Sequence, residues 1–298
     1  MNSLKQIHTI GVASCLGGSE TTCYTAPAVI KYSKHSSILN ANDLQLYWQD
    51  ILSQNFLAPN RLNELININH RIASYTAQTV INQKQFLVIS GDHSSAMGTW
   101  AGAQNGLKQR QTNASFGLIW LDAHLDAHTL HSSPSGNFHG MPVSAILGLA
   151  EPALLSAYPS SHYFSSQDIL IYGVRSFESS EQELLQEQNV SFYPFEISSR
   201  MNKEKNDFLL KCYQLIERCD GIGISLDLDI LDPFEAPAVE TAVANGLKKS
   251  YLIDILKSLR EHAKNKFVGL EISEFNPIND KAGKTEKAIF EIIVQLFA

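Results

Sequence analysis

Six short apolar runs along the chain each end in polar or charged residues, and this recurring arrangement restricts the fold more than any other feature. The runs are HTIGVASC (8–15), FLVISGDHS (86–94), FGLIWLDAHLD (116–126), DILIYGVRS (168–176), GIGISLDLDILDP (221–233) and FVGLEISEFNP (267–277). The apolar part of each is continuous rather than alternating. Strands buried on both faces of a parallel sheet read this way, because helices cover both sides. Helical spacing lies between and after the runs. Leu247, Tyr251, Ile255 and Leu259 recur four apart within 245–265, and Ile289, Ile292 and Leu296 share a stripe within 284–297. Strand and helix in alternation predict an α/β fold: a doubly wound, mostly parallel central sheet flanked by helices in three layers. The Ser- and Pro-containing stretches 151–167 and 196–206 read as connections, too short and too ordinary to mark a boundary. One domain is therefore expected over residues 1–298.

Composition narrows the class of function. Hydrophobic residues make up 44% of the 298 and charged residues 18%, enough apolar material for a large core and too much for a disordered chain. The formal net charge of -7 argues against a protein that tracks nucleic-acid phosphates. No apolar run approaches the ~18 residues of a membrane span. The opening MNSLKQIHTIGVASC lacks the basic-then-apolar pattern of a secretory leader. Cys15, Cys23, Cys212 and Cys219 have neither zinc-ligand nor redox-motif spacing, so reduced thiols and a cytoplasmic location are expected. Gly17 and Gly18 belong to no phosphate-loop pattern and read as a plain turn, which sets aside a nucleotide-binding α/β protein.

In open parallel sheets, ligands bind beyond the carboxyl ends of the strands, and the chemistry-bearing residues sit at those ends here. The densest group is LDAHLDAH, residues 121–128. Asp122, His124 and Asp126 alternate, and on an extended segment they would share one face. Asp227 and Asp229 close the run GIGISLDLD, and His93 follows FLVISGD. A lone Asp at a strand end is ordinarily a cap or turn residue, and Asp92 and Asp232 are read that way. Two His and four Asp converging from three strand ends are harder to explain so, because crowded carboxylates repel and resist ionising together. A pair of cations relieves that repulsion. The donor set is oxygen-rich with two imidazoles and no thiolate, which favours two Mn²⁺, with Co²⁺, Ni²⁺ or Fe²⁺ as alternatives. Two such ions some ~3.5–4 Å apart can bridge a water and lower its pKa.

Five segments, GDHSSAMG (91–98), WLDAHLDAHT (120–129), SGNFHGMPVSAILG (135–148), SLDLDILDP (225–233) and LEISEFNP (270–277), together resemble the ureohydrolases, the family of arginase, agmatinase and formimidoylglutamase. The resemblance runs from about residue 86 to 277, and SGNFHG is most like the arginases. It implies that His93, Asp122, Asp126 and Asp227 hold one manganese and that Asp122, His124, Asp227 and Asp229 hold the other, with Asp122 and Asp227 bridging. It further implies that Asp126 hydrogen-bonds the attacking metal-bridging hydroxide, that Glu274 pairs with the guanidinium, and that His139 shuttles protons. The implied reaction is hydrolysis of a linear amidine C–N bond. L-arginine, giving L-ornithine and urea, is the leading substrate. A second carboxylate-bearing guanidino or formimino compound, or agmatine, is the alternative. A non-catalytic relative serving as a binding subunit is the contrasting class, and the full set of ligand residues speaks against it.

The same resemblance assigns the substrate's amino-acid end. Ser133, Ser135 and Asn137 match the loop that reads the α-carboxylate, and Glu178 and Glu181 match the acids that hold the α-ammonium. Thr241 matches a residue lining the guanidinium pocket. A local account competes for Glu181: Ser180 with Glu183 reads as a capping box, placing Glu181 in the first helical turn. His128 stands where arginases usually carry Asn, and Glu178 where they usually carry Asp. The opening GVASCLGGSETTC is shorter and less charged than theirs. These departures fall on the substrate end and leave the metal core intact. The expected partners are the small guanidino substrate and further copies of the chain in a homo-oligomer, with no nucleic acid and no membrane.

Overall fold

The computed structural model describes residues 4–19 and 21–298. Met1–Ser3, where the segment read for a leader begins, and Glu20 of GVASCLGGSETTC lie outside the described residues. Among the described residues, eight strands form one sheet: β1 (Lys5–Ala13), β2 (Leu44–Ser53), β3 (Phe86–Ser90), β4 (Phe116–Leu121), β5 (Ile169–Val174), β6 (Ser191–Pro194), β7 (Gly221–Asp227) and β8 (Phe267–Ser273). Their order is β2-β1-β3-β8-β7-β4-β5-β6, and every pairing is parallel. The chain builds outward from β1 to β2, returns to β3, crosses to β4 and builds outward again to β6. It then closes the gap with β7 and β8. The four middle strands β3, β8, β7 and β4 thus lie side by side although they come from distant parts of the sequence.

Strands β3, β4, β5 and β7 are buried at every position, as their unbroken apolar runs require. The edge strands β2 and β6 are partly exposed, so neither carries a continuous apolar run, and sequence reasoning passed over both. On one face lie α3 (Arg61–Ile81) and α4 (Ala96–Arg110), after the shorter α1 (Ala26–Lys31) and α2 (Ser36–Asn40) on the other. The short α5 (Pro142–Ile146) and α6 (Pro152–Leu155) and the nine-residue α7 (Ser179–Glu187) follow. The opposite face is covered by α8 (Met201–Arg218), α9 (Lys249–Ala263) and α10 (Lys284–Phe297). The three-layer α/β arrangement is the one expected.

Helix α4 carries Gly98, Gly102 and Gly106 four apart, and a Cβ at each would fall 2.3, 2.2 and 2.6 Å from the carbonyls of Asn69, Ala73 and Ala77 on α3. Only glycine lets the two backbones approach this closely. The contact fixes α4, whose N-terminus follows the turn that bears His93.

Several expectations need correction. Leu247 is buried but precedes α9, which starts at Lys249. The stretch 196–206 is a connection only as far as Arg200, because α8 begins at Met201 and turns Phe208, Leu209, Cys212, Leu215 and Ile216 inward. The apolar runs also stop being strands earlier than their polar ends suggested. Strand β4 ends at Leu121, so Asp122, His124 and Asp126 lie on irregular chain rather than on one face of a strand. The cause is local. The Asp122 carboxylate accepts the N–H of His124 at 2.7 Å, and that of Asp227 accepts the N–H of Asp229 at 2.8 Å. Each side chain offers its own backbone a turn in place of the next ladder bond.

Candidate metal centre and substrate cleft

His93, Asp122, Asp227 and Glu274 stand at or just past the carboxyl ends of β3, β4, β7 and β8, the four adjacent middle strands. Two of the neighbouring acids are held in the left-handed region that favours glycine, Asp126 at φ 50° and Glu274 at φ 67°. Such residues persist where surrounding bonds over-determine them. The Asp126 carbonyl accepts Val143 N–H at 2.9 Å, and Glu274 N–H donates to the Gly91 carbonyl at 2.9 Å.

The deepest group surrounds His93. Its Nδ1 lies 3.2 Å from Asp122 Oδ2, 3.1 Å from Asp126 Oδ2 and 3.3 Å from Asp227 Oδ2, yet it makes no hydrogen bond. The ring stacks on Trp120 at 4.2 Å between centroids. Its Nε2 meets Ser225 Oγ at 3.0 Å. Ser225 Oγ also receives Trp100 Nε1–H at 3.1 Å, and it donates its only proton to Glu271 Oε2 at 3.0 Å. Having spent that proton, Ser225 must accept from His93, so the His93 proton sits on Nε2. Nδ1 then directs a lone pair at three carboxylates. Positive charge makes that arrangement favourable, whether a proton on Nδ1 in the metal-free chain or a cation held beside it.

The second group shares Asp122. His124 Nδ1 lies 2.9 Å from Asp229 Oδ2 and 3.6 Å from Asp122 Oδ1. Two clusters, His93–Asp122–Asp227 and Asp122–His124–Asp229, each bring their donor atoms within 4.8 Å of one another. Asp122 belongs to both clusters, whereas Asp227, also expected to bridge, groups with His93 alone. Arg175 backs the second cluster by donating to the Asp229 carbonyl at 2.6 Å.

The electrostatics carry the same message. Burial raises the Asp227 carboxyl well above the carboxylate range, and the charges of Asp229 and Asp122 add to this. Burial and then Asp122 push Asp126 up to about 8. Burial works the same way on Asp122, but hydrogen bonds from His124 and His93 outweigh it and hold this carboxyl low. Burial opposes charge on both imidazoles, and the surrounding aspartates overcome it and raise both. These groups do not reach a common ionised state without added cations. The oxygen-rich donor set with two imidazoles fits a pair of divalent ions of moderate hardness.

Above this centre opens a cleft of about 380 Å³. Its walls include His124, Asp126, Asp227 and Asp229 from the centre, then His139, Glu274 and Thr241. Farther out lie His128, Ser133, Ser135, Asn137, Glu178 and Glu181. His93 and Asp122 are buried beneath the floor. Every residue proposed from sequence thus lies in or directly under one cavity.

Glu274 is held at Oε1 by His93 N–H at 2.7 Å, and its buried Oε2 has no partner. His139 Nδ1 lies 3.3 Å from Oε1. Burial works against charge on His139, but Glu274 outweighs it and raises the imidazole to about 9. At the outer end His128 Nε2 meets Glu178 Oε2 at 3.0 Å and Glu181 Oε2 at 3.4 Å, and its Nδ1 meets Ser132 Oγ at 3.2 Å. The two departures from the arginase pattern, His128 and Glu178, are therefore partners. The capping pattern also shifts. Glu178, not Ser180, occupies the N-cap of α7, and Glu181 Oε2 accepts its N–H at 3.1 Å.

Sequence reasoning missed Ser132, Ser225, Glu240 and Glu271. Ser225 was within reach, since it precedes Asp227 by two on the same strand and so points to the same side. Glu271 lies three before Glu274 in a run otherwise read as core.

Comparison with known proteins gives a consistent result. A family model described as the Arginase family matches residues 5–298. An arginase of Bacillus caldovelox is 32% identical across 99% of this chain and 98% of its own length. An arginase of Bacillus subtilis is 31% identical across 98% of this chain and 97% of its own. The crystal structure of arginase from Bacillus subtilis superposes with a TM-score of 0.86 at 28% identity, covering 99% of both chains.

Proposed function

The chain belongs to the arginase family, and from that premise we propose that this hydrolase of guanidino C–N bonds converts L-arginine and water to L-ornithine and urea. We assign His93, Asp122, His124, Asp126, Asp227 and Asp229 to two divalent cations, manganese first among them. The observation that carries this reading is the setting of His93: Nε2 is engaged by Ser225, while Nδ1, without a hydrogen bond, faces three carboxylates at 3.1–3.3 Å. Bound cations would supply Lewis acidity that lets a water surrender a proton near neutral pH.

The side chains account for the rest. A guanidinium is planar, cationic and stabilised by resonance, so its carbon resists attack unless the group is held still. Glu274 Oε2, buried and unpartnered, is an acceptor waiting for a guanidinium N–H, and a charge-assisted bond there fixes the plane. Asp126, which lines the cleft beside the cluster, accepts the proton that the water loses as its oxygen bonds to the guanidinium carbon. The tetrahedral carbon then breaks its bond to the substrate's side-chain nitrogen, and that nitrogen needs a proton to leave. His139 supplies it: the ring is protonated at neutral pH and reaches both Glu274 and the cleft. The outer wall supports an amino-acid substrate. Glu178 and Glu181 suit an ammonium, and the hydroxyls and amide of Ser133, Ser135 and Asn137 suit a carboxylate.

The test is urea release by the manganese-loaded protein from L-arginine, agmatine and guanidinobutyrate. L-Arginine should turn over fastest. Faster turnover of agmatine would overturn the assignment of the outer wall, and no urea from any of them would overturn the function.

A further inference from the structure

Glu240 plays no part in the scheme above, yet it lines the same cleft. Val239 bridges Phe275 in antiparallel register, which sets Glu240 directly across from Glu274. Asn276 N–H donates to the Ala238 carbonyl at 2.9 Å and locks that register. Carboxylate oxygens of Glu240 and Glu274 and a ring nitrogen of His139 all lie within 4.8 Å of one another. The turn after β1 fixes the Glu240 carboxylate from the other side. Ser19 N–H donates to Oε1 at 2.9 Å, and a Cβ on Gly18 would fall 2.2 Å from that oxygen.

We infer that Glu240 is a second carboxylate of the guanidinium subsite, sharing one terminal amino group of the substrate with Glu274. This rests on the guanidino-hydrolase reading and extends it. The spacing suits the task. Two acceptors each about 2.9 Å from one nitrogen, along N–H bonds about 120° apart, stand roughly 5 Å from each other. The Glu274 oxygen without a partner supplies one acceptor, and Glu240 supplies the other. The charges agree as well. One imidazole between two carboxylates leaves the trio short of positive charge, and a guanidinium provides it. Burial raises the Glu274 carboxyl, the His139 contact lowers it, and the charge of Glu240 raises it again; burial lowers His139, and Glu274, then Asp126, then Glu240 raise it. The Gly17–Gly18 turn thereby gains a function: it brings backbone close enough to orient this acid.

Guanidinium chloride at millimolar concentration and urea, its neutral planar counterpart, are the probes. Both are titrated calorimetrically into the manganese-loaded wild type and into Glu240→Gln and Glu240→Asp. Gln keeps an oxygen for the Ser19 N–H while losing the charge. Glu240→Gln should weaken guanidinium binding about tenfold, as expected for one charge-assisted bond, while urea affinity changes less than twofold and manganese content stays at the wild-type value. Glu240→Asp should recover most of the guanidinium affinity. Unchanged guanidinium affinity in Glu240→Gln, an equal loss for urea, or loss of manganese would each overturn the inference. So would a third manganese held by the His139–Glu240–Glu274 trio. The binding ratio stands apart from turnover, so a wild type that releases no urea would defeat the proposed reaction while the titrations still judge Glu240.

Discussion

Replacing Ser225 by Ala removes one oxygen from the floor of the site and should be felt in two measurements at once. That oxygen is fully buried and serves three groups: it accepts from His93 Nε2 at 3.0 Å and Trp100 Nε1 at 3.1 Å, and it donates to Glu271 Oε2 at 3.0 Å. In Ser225→Ala the two N–H donors and the Glu271 oxygen lose their shared partner. Each buried group left unmatched costs about 1–3 kcal/mol. Glu271 is partly compensated, because its other oxygen keeps Ser95 at 2.6 Å and Thr99 at 3.1 Å. A loss of roughly 3–5 kcal/mol follows, large against the ~5–15 kcal/mol of an ordinary domain but short of abolishing folding. His93 also loses the bond that orients its ring and fixes its tautomer, and manganese affinity should fall about 10–100-fold. Urea denaturation of the metal-free chain reads the first effect, and competition with a chelator reads the second. A stability loss below about 1 kcal/mol would refute the buried hub. A full stability loss with unchanged manganese affinity would refute the claim that Ser225 sets the His93 tautomer.

Other outcomes follow from the same geometry. His139→Asn should retain both metal ions yet lower kcat by about 10²–10⁴-fold, the usual range for a positioned acid–base group, and an unchanged kcat in a steady-state urea assay would remove His139 from proton delivery. His128→Asn frees Glu178 and Glu181 from the imidazole that now engages them at 3.0 and 3.4 Å, so KM for L-arginine should move several-fold more than metal content, which kinetics and metal analysis measure side by side. Glu181 is pushed up to about 7 by burial, despite N–H bonds from Glu178 and Ala127. The folded chain therefore holds a proton there that the unfolded chain has released, and the contribution of Glu181 to stability falls as pH rises from about 4.5 to about 7. Glu181→Gln should flatten that slope in denaturation curves collected across this range, and an identical slope in both proteins would contradict the assignment.

The parts of the molecule that could be read in the sequence are those where one physical demand dominates. Strands β3, β4, β7 and β8 are buried on both faces, so their apolar runs are unbroken and their ends plain, and the residues that follow them meet at the centre of the sheet. Strands β2 and β6 escaped because edge strands bury too little to leave a pattern. Helix α8 escaped at its start because, after Met201, its first turn is polar (NKE) and resembles a linker. The six acids and imidazoles were legible by type and position, although the reason first offered for their convergence, alternation along a strand, was mistaken. Side-chain turns at Asp122 and Asp227 gather them instead. Capping by Glu178 rather than Ser180 was not legible, since both residues precede an acid three positions on. Ser225 and Glu240 act through partners more than thirty residues away in sequence, such as Trp100 and Ser19, and no local pattern marks such contacts.

The central claim is that paired His–Asp clusters hold two divalent ions, and metal stoichiometry tests it most directly. Protein stripped with chelator, saturated with Mn²⁺ and desalted should carry two manganese per chain by elemental analysis, and Asp229→Ala, which removes one donor of the His124 cluster, should carry one or fewer and release no urea. A wild-type chain that retains no manganese at saturation, or an Asp229→Ala chain that keeps two, would contradict the account.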